Sequence, residues 1–313
     1  MGDELGFSVA CSRAYIPLLR GWLESIKLFA PDAPILMMVD GPMDTKPFEK
    51  KYGVIVKRRS DIKDVGLRKT CSGYGTKPVA FWEAPFKYVF HVDVDAVLWG
   101  DIRSNLPIGD WDLIHNEPHE DITDFIQKNQ YFDPAKIFKY VPEFDWQGCP
   151  FFQAGVICVK TGSLDLDEYL RMVELQIKYP DIFINGDQGM LNILIFRAMK
   201  AGKLKVNQAH LQSCVPVLPR SELEVRFKIK DGNPVLWKKP SVIHWAGPKP
   251  YTTNPDVFSA PMDLFRLSGM LKAGLPHWMP ASTALRADEY MYRDVPKHIL
   301  NAKKCIKKMV GRK

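Results

Sequence analysis

The segment Tyr88-Val89-Phe90-His91-Val92-Asp93-Val94-Asp95-Ala96-Val97-Leu98-Trp99 sets two carboxylates at the end of an apolar run rich in β-branched and aromatic residues. Such a run reads as a buried strand, so the carboxylates stand where that strand leaves its sheet. Residues two apart share a strand face, and the backbone turn at a strand end lets Asp93 and Asp95 converge on one hard divalent cation. Carboxylates that end a strand of an open α/β sheet lie at the edge where such sheets bind ligands.

The surrounding chain alternates between strand and helix patterns. Phe7 to Cys11 is a short apolar run, and after Ser12 to Pro17 the residues Leu18, Leu19, Trp22, Leu23, Ile26 and Leu28 recur at helical spacing. Pro34 to Val39 is a second strand closed by Asp40-Gly41-Pro42, and Gly53 to Val56 is a third. Residues 76–87, carrying Lys77, Phe81, Trp82 and Phe86, are expected to form a helix that feeds the strand at Tyr88. Trp111 to His115, Phe151 to Val159 and Val242 to Trp245 read as further strands. Asp167 to Ile177 reads as an amphipathic helix. Asp187-Gln188 opens a second helix, Gly189 to Met199, with Met190, Leu191, Leu194, Ile195 and Ala198 on its buried face. The polar and aromatic stretch from Glu117 to Phe144 is expected to leave the sheet and line one side of the site. Strands alternating with helices predict an α/β fold, a mostly parallel doubly wound sheet flanked by helices.

Several classes of function are excluded by what surrounds this pattern. The net charge of +7 is accompanied by no zinc-finger, RNA-recognition or helix-turn-helix signature, so no nucleic acid partner is expected. Six widely spaced cysteines with no Cys-x-x-Cys pair read as reduced thiols. The start, Met1 to Phe7, has neither a basic nor a long apolar segment, and Gly6 stands where a myristoylation motif needs Ser or Thr. Together with the lack of an Asn-x-Ser/Thr sequon, this leads to the expectation of a cytoplasmic protein. From Lys297 to Lys313, lysines and arginines interleave with Ile299, Leu300, Ile306, Met309 and Val310, a pattern suited to peripheral contact with an anionic membrane face.

Four stretches stand in fixed order: the strand ending in Asp93-Val94-Asp95, then Phe152-Gln153-Ala154-Gly155-Val156, then Asp187-Gln188 with Leu191-Asn192, then His244-x-x-Gly247-x-Lys249-Pro250. Together they resemble family 8 glycosyltransferases, the group of glycogenin and the bacterial lipopolysaccharide galactosyltransferases. The resemblance spans roughly residues 5–255 and departs from the family at Gln153, where Asn is usual. It implies a GT-A fold over 1–255, with 256–313 as a C-terminal helical appendage. It also implies retaining transfer of a sugar from a nucleotide-diphosphate donor, expected to be a UDP-sugar, to a glycan acceptor.

By the same resemblance Asp93, Asp95 and His244 hold Mn2+ or Mg2+. Two carboxylates and an imidazole suit Mn2+ better than Ca2+. Asp187 and Gln188 take the catalytic positions, Asp187 on the sugar hydroxyls and Gln188 near the anomeric carbon. Cys11, Ser12, Lys77, Gln153, Ala154, Gly247 and Lys249 surround the donor. Read singly, Asp187 also suits a helix N-cap, His244 a buried and hydrogen-bonded histidine, and Lys249 a solvated loop. Asp93-Val94-Asp95-Ala96-Val97 also fits the start of a haloacid dehalogenase-type phosphatase, though several strands precede it here. A carbohydrate- or nucleotide-sugar-binding module without turnover is the third alternative.

Overall fold

The computed structural model describes residues 4–117, 123, 126–184, 186–299 and 301. Seven strands form the main sheet in the order β3-β2-β1-β4-β7-β6-β8: Ile55–Arg58, Ile35–Asp40, Leu5–Ser12, Tyr88–Val92, Val156–Lys160, Leu113–Asn116 and Val206–Ala209. The pairings around β1 and β2 and between β6 and β8 are parallel, whereas β7 runs antiparallel to both β4 and β6. A second sheet has the order β5-β12-β9, comprising Ala96–Trp99, Ser241–His244 and Gln212–Cys214. A small hairpin pairs β10, Ile229–Lys230, with β11, Asn233–Pro234. This is the predicted mixed, mostly parallel α/β architecture.

Strand alternation divides the core in two. On β2, Ile35, Met37 and Val39 point into one apolar layer, and Leu36 and Met38 into the other. The first layer joins Phe7, Val9, Tyr88 and Phe90 to Leu18, Trp22 and Ile26 of the helix Ile16–Phe29, and continues into β5 and β12. The second joins Val89, Ile157 and Phe81 to the helices Leu166–Lys178 and Asp187–Lys200. Each fully buried Leu, Ile or Phe contributes about 1.5–3 kcal/mol relative to its exposed state, so these two layers dominate the cohesion of the sheet.

Local structure departs from the sequence reading in five places. The helix expected over 76–87 is a single turn, Ala80–Glu83, because Ala84 precedes Pro85 and is driven out of helical backbone. Phe151 to Gly155 lies outside β7, which begins at Val156. The third strand starts two residues later than read, at Ile55. Leu28 is exposed although its spacing suggested burial, and in the helix Asp187–Lys200 every residue from Gly189 to Phe196 is buried, so that helix has no solvent face over its first half. The five described cysteines form no disulfide, and Cys305 lies outside the described residues. Among the described residues no helix is long and apolar enough to cross a membrane. Most of the basic tail, residues 302–313, also lies outside them.

The helices Ala260–Lys272 and Ala281–Glu289 pack on the helix Ile16–Phe29 through a buried polar lock. Arg266 and Glu289 are both fully buried, and Arg266 Nη1 donates to Glu289 Oε1 at 2.9 Å. The same carboxylate accepts from the Thr252 backbone N–H at 3.0 Å and from Thr252 Oγ1 at 2.6 Å. Lys272 pairs with Glu24 at 2.6 Å and Arg20 with Asp288 at 3.3 Å, fastening the same helices to the first one. Removing one partner of a buried pair leaves the other charge uncompensated, at a cost of about 3–5 kcal/mol. Glu289→Ala should therefore lower the free energy of unfolding from chemical denaturation by an amount of that order; an unchanged value would show that Arg266 finds another counter-charge.

Candidate functional site

The two carboxylates occupy the link between the sheets. β4 ends at Val92, Asp93 to Asp95 cross over, and β5 begins at Ala96 in the second sheet. The crossing is pinned from both sides: Asp93 N–H donates to Gly155 O at 2.8 Å, and Trp245 N–H donates to Asp95 O at 3.0 Å. The antiparallel register of β12 on β5 sets His244 opposite Ala96, one residue from Asp95. One ligand atom each from Asp93, Asp95 and His244 then falls within 4.8 Å of the others. His244 Nε2 is 3.6 Å from Asp95 Oδ1 and 3.8 Å from Asp93 Oδ2, while Nδ1–H donates to Gln212 Oε1 at 2.7 Å. Gln212, on β9 and fully buried, thereby fixes the ring with Nε2 toward the carboxylates. Gly155 is required by this packing, because a Cβ there would strike His244 Cε1 and approach Asp93 Oδ2 to 2.8 Å.

Two lysines flank the acidic pair. Lys77 Nζ lies 2.8 Å from Asp187 Oδ2 and 3.3 Å from Asp93 Oδ1, and donates to Ala154 O at 3.3 Å. Lys249 pairs with Asp95 and donates to Trp245 O at 3.0 Å. Burial alone would push the His244 imidazole down, but hydrogen bonding and attraction to Asp95 overcome it and hold the group at about 10. Burial would raise Asp93 and Asp95. Lys77 and His91 around the first, and His244 and Lys249 around the second, hold both below the usual carboxylate range. Asp187 moves the other way, because burial and the nearby Asp93 charge outweigh Lys77. Behind Asp93, burial keeps His91 below its ordinary value and hence neutral; Nε2–H donates to Asp93 Oδ1 at 3.1 Å and Nδ1 accepts from Ser8 Oγ at 3.0 Å.

Asp187 is the first residue of its helix, but the N-cap is Gly186, at φ +64°, so Asp187 is not the cap. Its neighbour Gln188 donates from Nε2 to Gln130 O at 3.1 Å. One turn on, Asn192 grips the segment before β7: its Nδ2 donates to Phe152 O at 2.9 Å and its Oδ1 accepts from Phe152 N–H at 3.1 Å. Asn192 thus ties the Asp187-Gln188 turn to Gln153 and Ala154, and Gln153 Oε1 in turn accepts from Cys214 Sγ at 3.0 Å.

A cleft of about 880 Å³ at the C-terminal ends of β1, β2 and β4 is lined by all twelve residues singled out in the sequence: Asp93, Asp95, His244, Asp187, Gln188, Cys11, Ser12, Lys77, Gln153, Ala154, Gly247 and Lys249. Sequence reasoning missed Tyr15, Asp40, Tyr74, Pro216 and Val217 on the same wall, and the supporting Gln212 and His91. Asp40 was visible only as a turn residue, although it ends β2 at the same edge. Gln212 lies on a three-residue strand with no apolar alternation to mark it.

No protein-family model matches the chain, and no curated protein matches it in sequence. Among solved structures it is similar to the galactosyltransferase LgtC in complex with donor and acceptor sugar analogues, with 16% identity and a TM-score of 0.54 over 87% of this chain and 98% of that one. It is also similar to the bifunctional glycosyltransferase WbbM, with 13% identity and a TM-score of 0.56 over 92% of this chain and 52% of the other. For the glycosyltransferase GlyE of Streptococcus pneumoniae TIGR4 the values are 14% and 0.50, over 94% and 64%. At these identities the likeness establishes the fold: the chain has the GT-A arrangement of these glycosyltransferases.

Proposed function

We propose that the chain is a metal-dependent, retaining glycosyltransferase of the family 8 kind, moving a sugar from a nucleotide diphosphate, a UDP-sugar in the first instance, to a glycan acceptor. The observation that carries this reading is the convergence of Asp93, Asp95 and His244 at the ligand edge of the sheet with Lys77 and Lys249 on either side. The donor set fits Mn2+ or Mg2+: two oxygens and an imidazole nitrogen share one small volume, and Gly155 keeps that volume clear of a side chain. Such an ion supplies Lewis-acid stabilisation of the leaving diphosphate. Lys249 and Lys77 add point charges for the phosphates and, being held by carboxylates beforehand, need little reorganisation to do so. Asp187 accepts from sugar hydroxyls. Gln188, a poor nucleophile whose amide is already engaged with Gln130, favours front-face attack by the acceptor over a covalent intermediate. We assign this chemistry to residues 1–255, a cytoplasmic location to the protein, and membrane proximity to the basic tail.

Incubation with Mn2+ and a panel of nucleotide sugars tests the reading through nucleoside diphosphate release and sugar transfer. Asp95→Ala should remove metal-dependent turnover, and full activity in that variant or in excess chelator would refute the metal role. Asp187→Asn should melt near the parent temperature, since Asp187 does not cap its helix and Lys77 keeps Asp93 as its counter-charge, while kcat falls by roughly a hundredfold or more. Parent-like kinetics would make Asp187 merely a partner of Lys77. Metal ligation needs a neutral imidazole, and His244 is held protonated up to about pH 10. Calorimetry in buffers of different ionisation enthalpy should show close to one proton released per Mn2+ near neutral pH. Apparent affinity should rise with pH and the release should fade above about pH 10; pH-independent binding would remove His244 from the ligand set.

A further inference from the structure

Away from the cleft, the chain from Arg220 to Lys239 presents apolar side chains to solvent that the core does not use. Val225 is 68% exposed, Leu236 59%, Val235 40% and Trp237 39%. They sit together. The helix Arg220–Arg226 leads through Phe227 and Lys228 into the β10–β11 hairpin, whose tip Asp231-Gly232 has positive φ at both positions, a type I′ turn. The return strand brings Val235 N–H to Lys228 O at 2.9 Å, and Trp237 folds back so that the Arg226 guanidinium lies 4.7 Å from its ring centroid. The base is rigid: Trp99 Nε1 donates to Val235 O at 3.0 Å, and the Trp99 ring meets Phe227 edge-on at 5.9 Å.

Charge supplies the second half of the argument. This stretch carries Arg220, Arg226, Lys228, Lys230, Lys238 and Lys239 against Glu222, Glu224 and Asp231. Glu224 and Glu222 are already paired with Arg220 and Arg226, which leaves Lys228, Lys230, Lys238 and Lys239 against Asp231 alone; Lys238 and Lys239 follow Trp237 directly in the chain, and Lys238 Nζ lies 5.8 Å from its ring centroid. A tryptophan and aliphatic side chains in a stretch this rich in lysine match the boundary of an anionic bilayer, where the apolar groups enter the headgroup layer and the lysines meet phosphate. A single-stranded nucleic acid would use the lysines and one aromatic face, but leaves the aliphatic Val225 and Leu236 without a role.

We propose that the Arg220–Lys239 element, centred on Leu236 and Trp237, is a docking surface for an anionic lipid bilayer. It is separate from the basic tail and independent of the transferase reading. The test is co-sedimentation of the full-length chain with vesicles of phosphatidylcholine alone or mixed equally with phosphatidylglycerol, comparing the parent with Leu236→Ser/Trp237→Ser and with Lys238→Glu/Lys239→Glu. The parent should bind the phosphatidylglycerol vesicles and release in high salt. Both variants should need roughly tenfold or more lipid for half-binding while their melting curves stay with the parent. Parent-like vesicle binding by both variants overturns the proposal, as does a parent chain that ignores both vesicle types, including one that binds a single-stranded oligonucleotide instead.

Discussion

The three residues between Val92 and Ala96 must carry the chain out of one sheet and into another, and most of the molecule's architecture serves that crossing. β4 is tied into the main sheet by β1 and β7, and β5 into the second sheet by β12, so neither end of the crossing can relax without breaking a ladder. A link this short leaves its side chains no room to turn away. Asp93 and Asp95 are therefore held a few ångströms apart although two like charges repel, and the arrangement survives because His244, Lys77 and Lys249 surround them. The low proton affinity of both carboxylates and the high affinity of His244 are two sides of one electrostatic balance.

That balance makes the cleft preorganised and poorly hydrated at its base. Asp95, Asp187, Lys77 and His244 are all buried, and burying unpaired charges of this kind would cost several kcal/mol each. Each is instead matched to a neighbour of opposite sign. On the proposed reading, Asp93, Asp95 and His244 would hold a cation once His244 gives up its proton, and Lys249 would stand beside it to meet an incoming anion.

What the sequence disclosed follows from the range of the forces involved. Strand cores were legible because Ile35 to Val39 and Tyr88 to Val92 are apolar on both faces, and a doubly covered sheet demands that pattern. That Asp93, Asp187, His244 and Lys249 would share one cleft was legible from their order along the chain, although Asp187 or His244 alone suited a structural role better. The positions that escaped notice work at a distance in sequence. Gln212 matters only because β9 lies beside β12, and His91 only because β1 brings Ser8 to it. Likewise Asn192 looked like a motif position next to a catalytic pair, whereas it is a clasp on Phe152. The overlong helix at 76–87 failed on a local rule, the proline at position 85, that apolar spacing had masked.

The Glu289 carboxylate reaches from the second of the C-terminal helices to the backbone of Thr252, and Thr252 lies three residues beyond Lys249. Asn254 closes the same loop by donating to Lys249 O at 2.8 Å. The wall of the cleft is therefore fastened by a residue made well after it. The core itself also draws on this late stretch, since Met262 and Phe265 pack in the same layer as Trp22. A chain cut short of Glu289 would still contain every residue of both sheets and of the cleft, yet it would lack the carboxylate that holds the loop bearing Lys249 and would leave Arg266 buried without its partner.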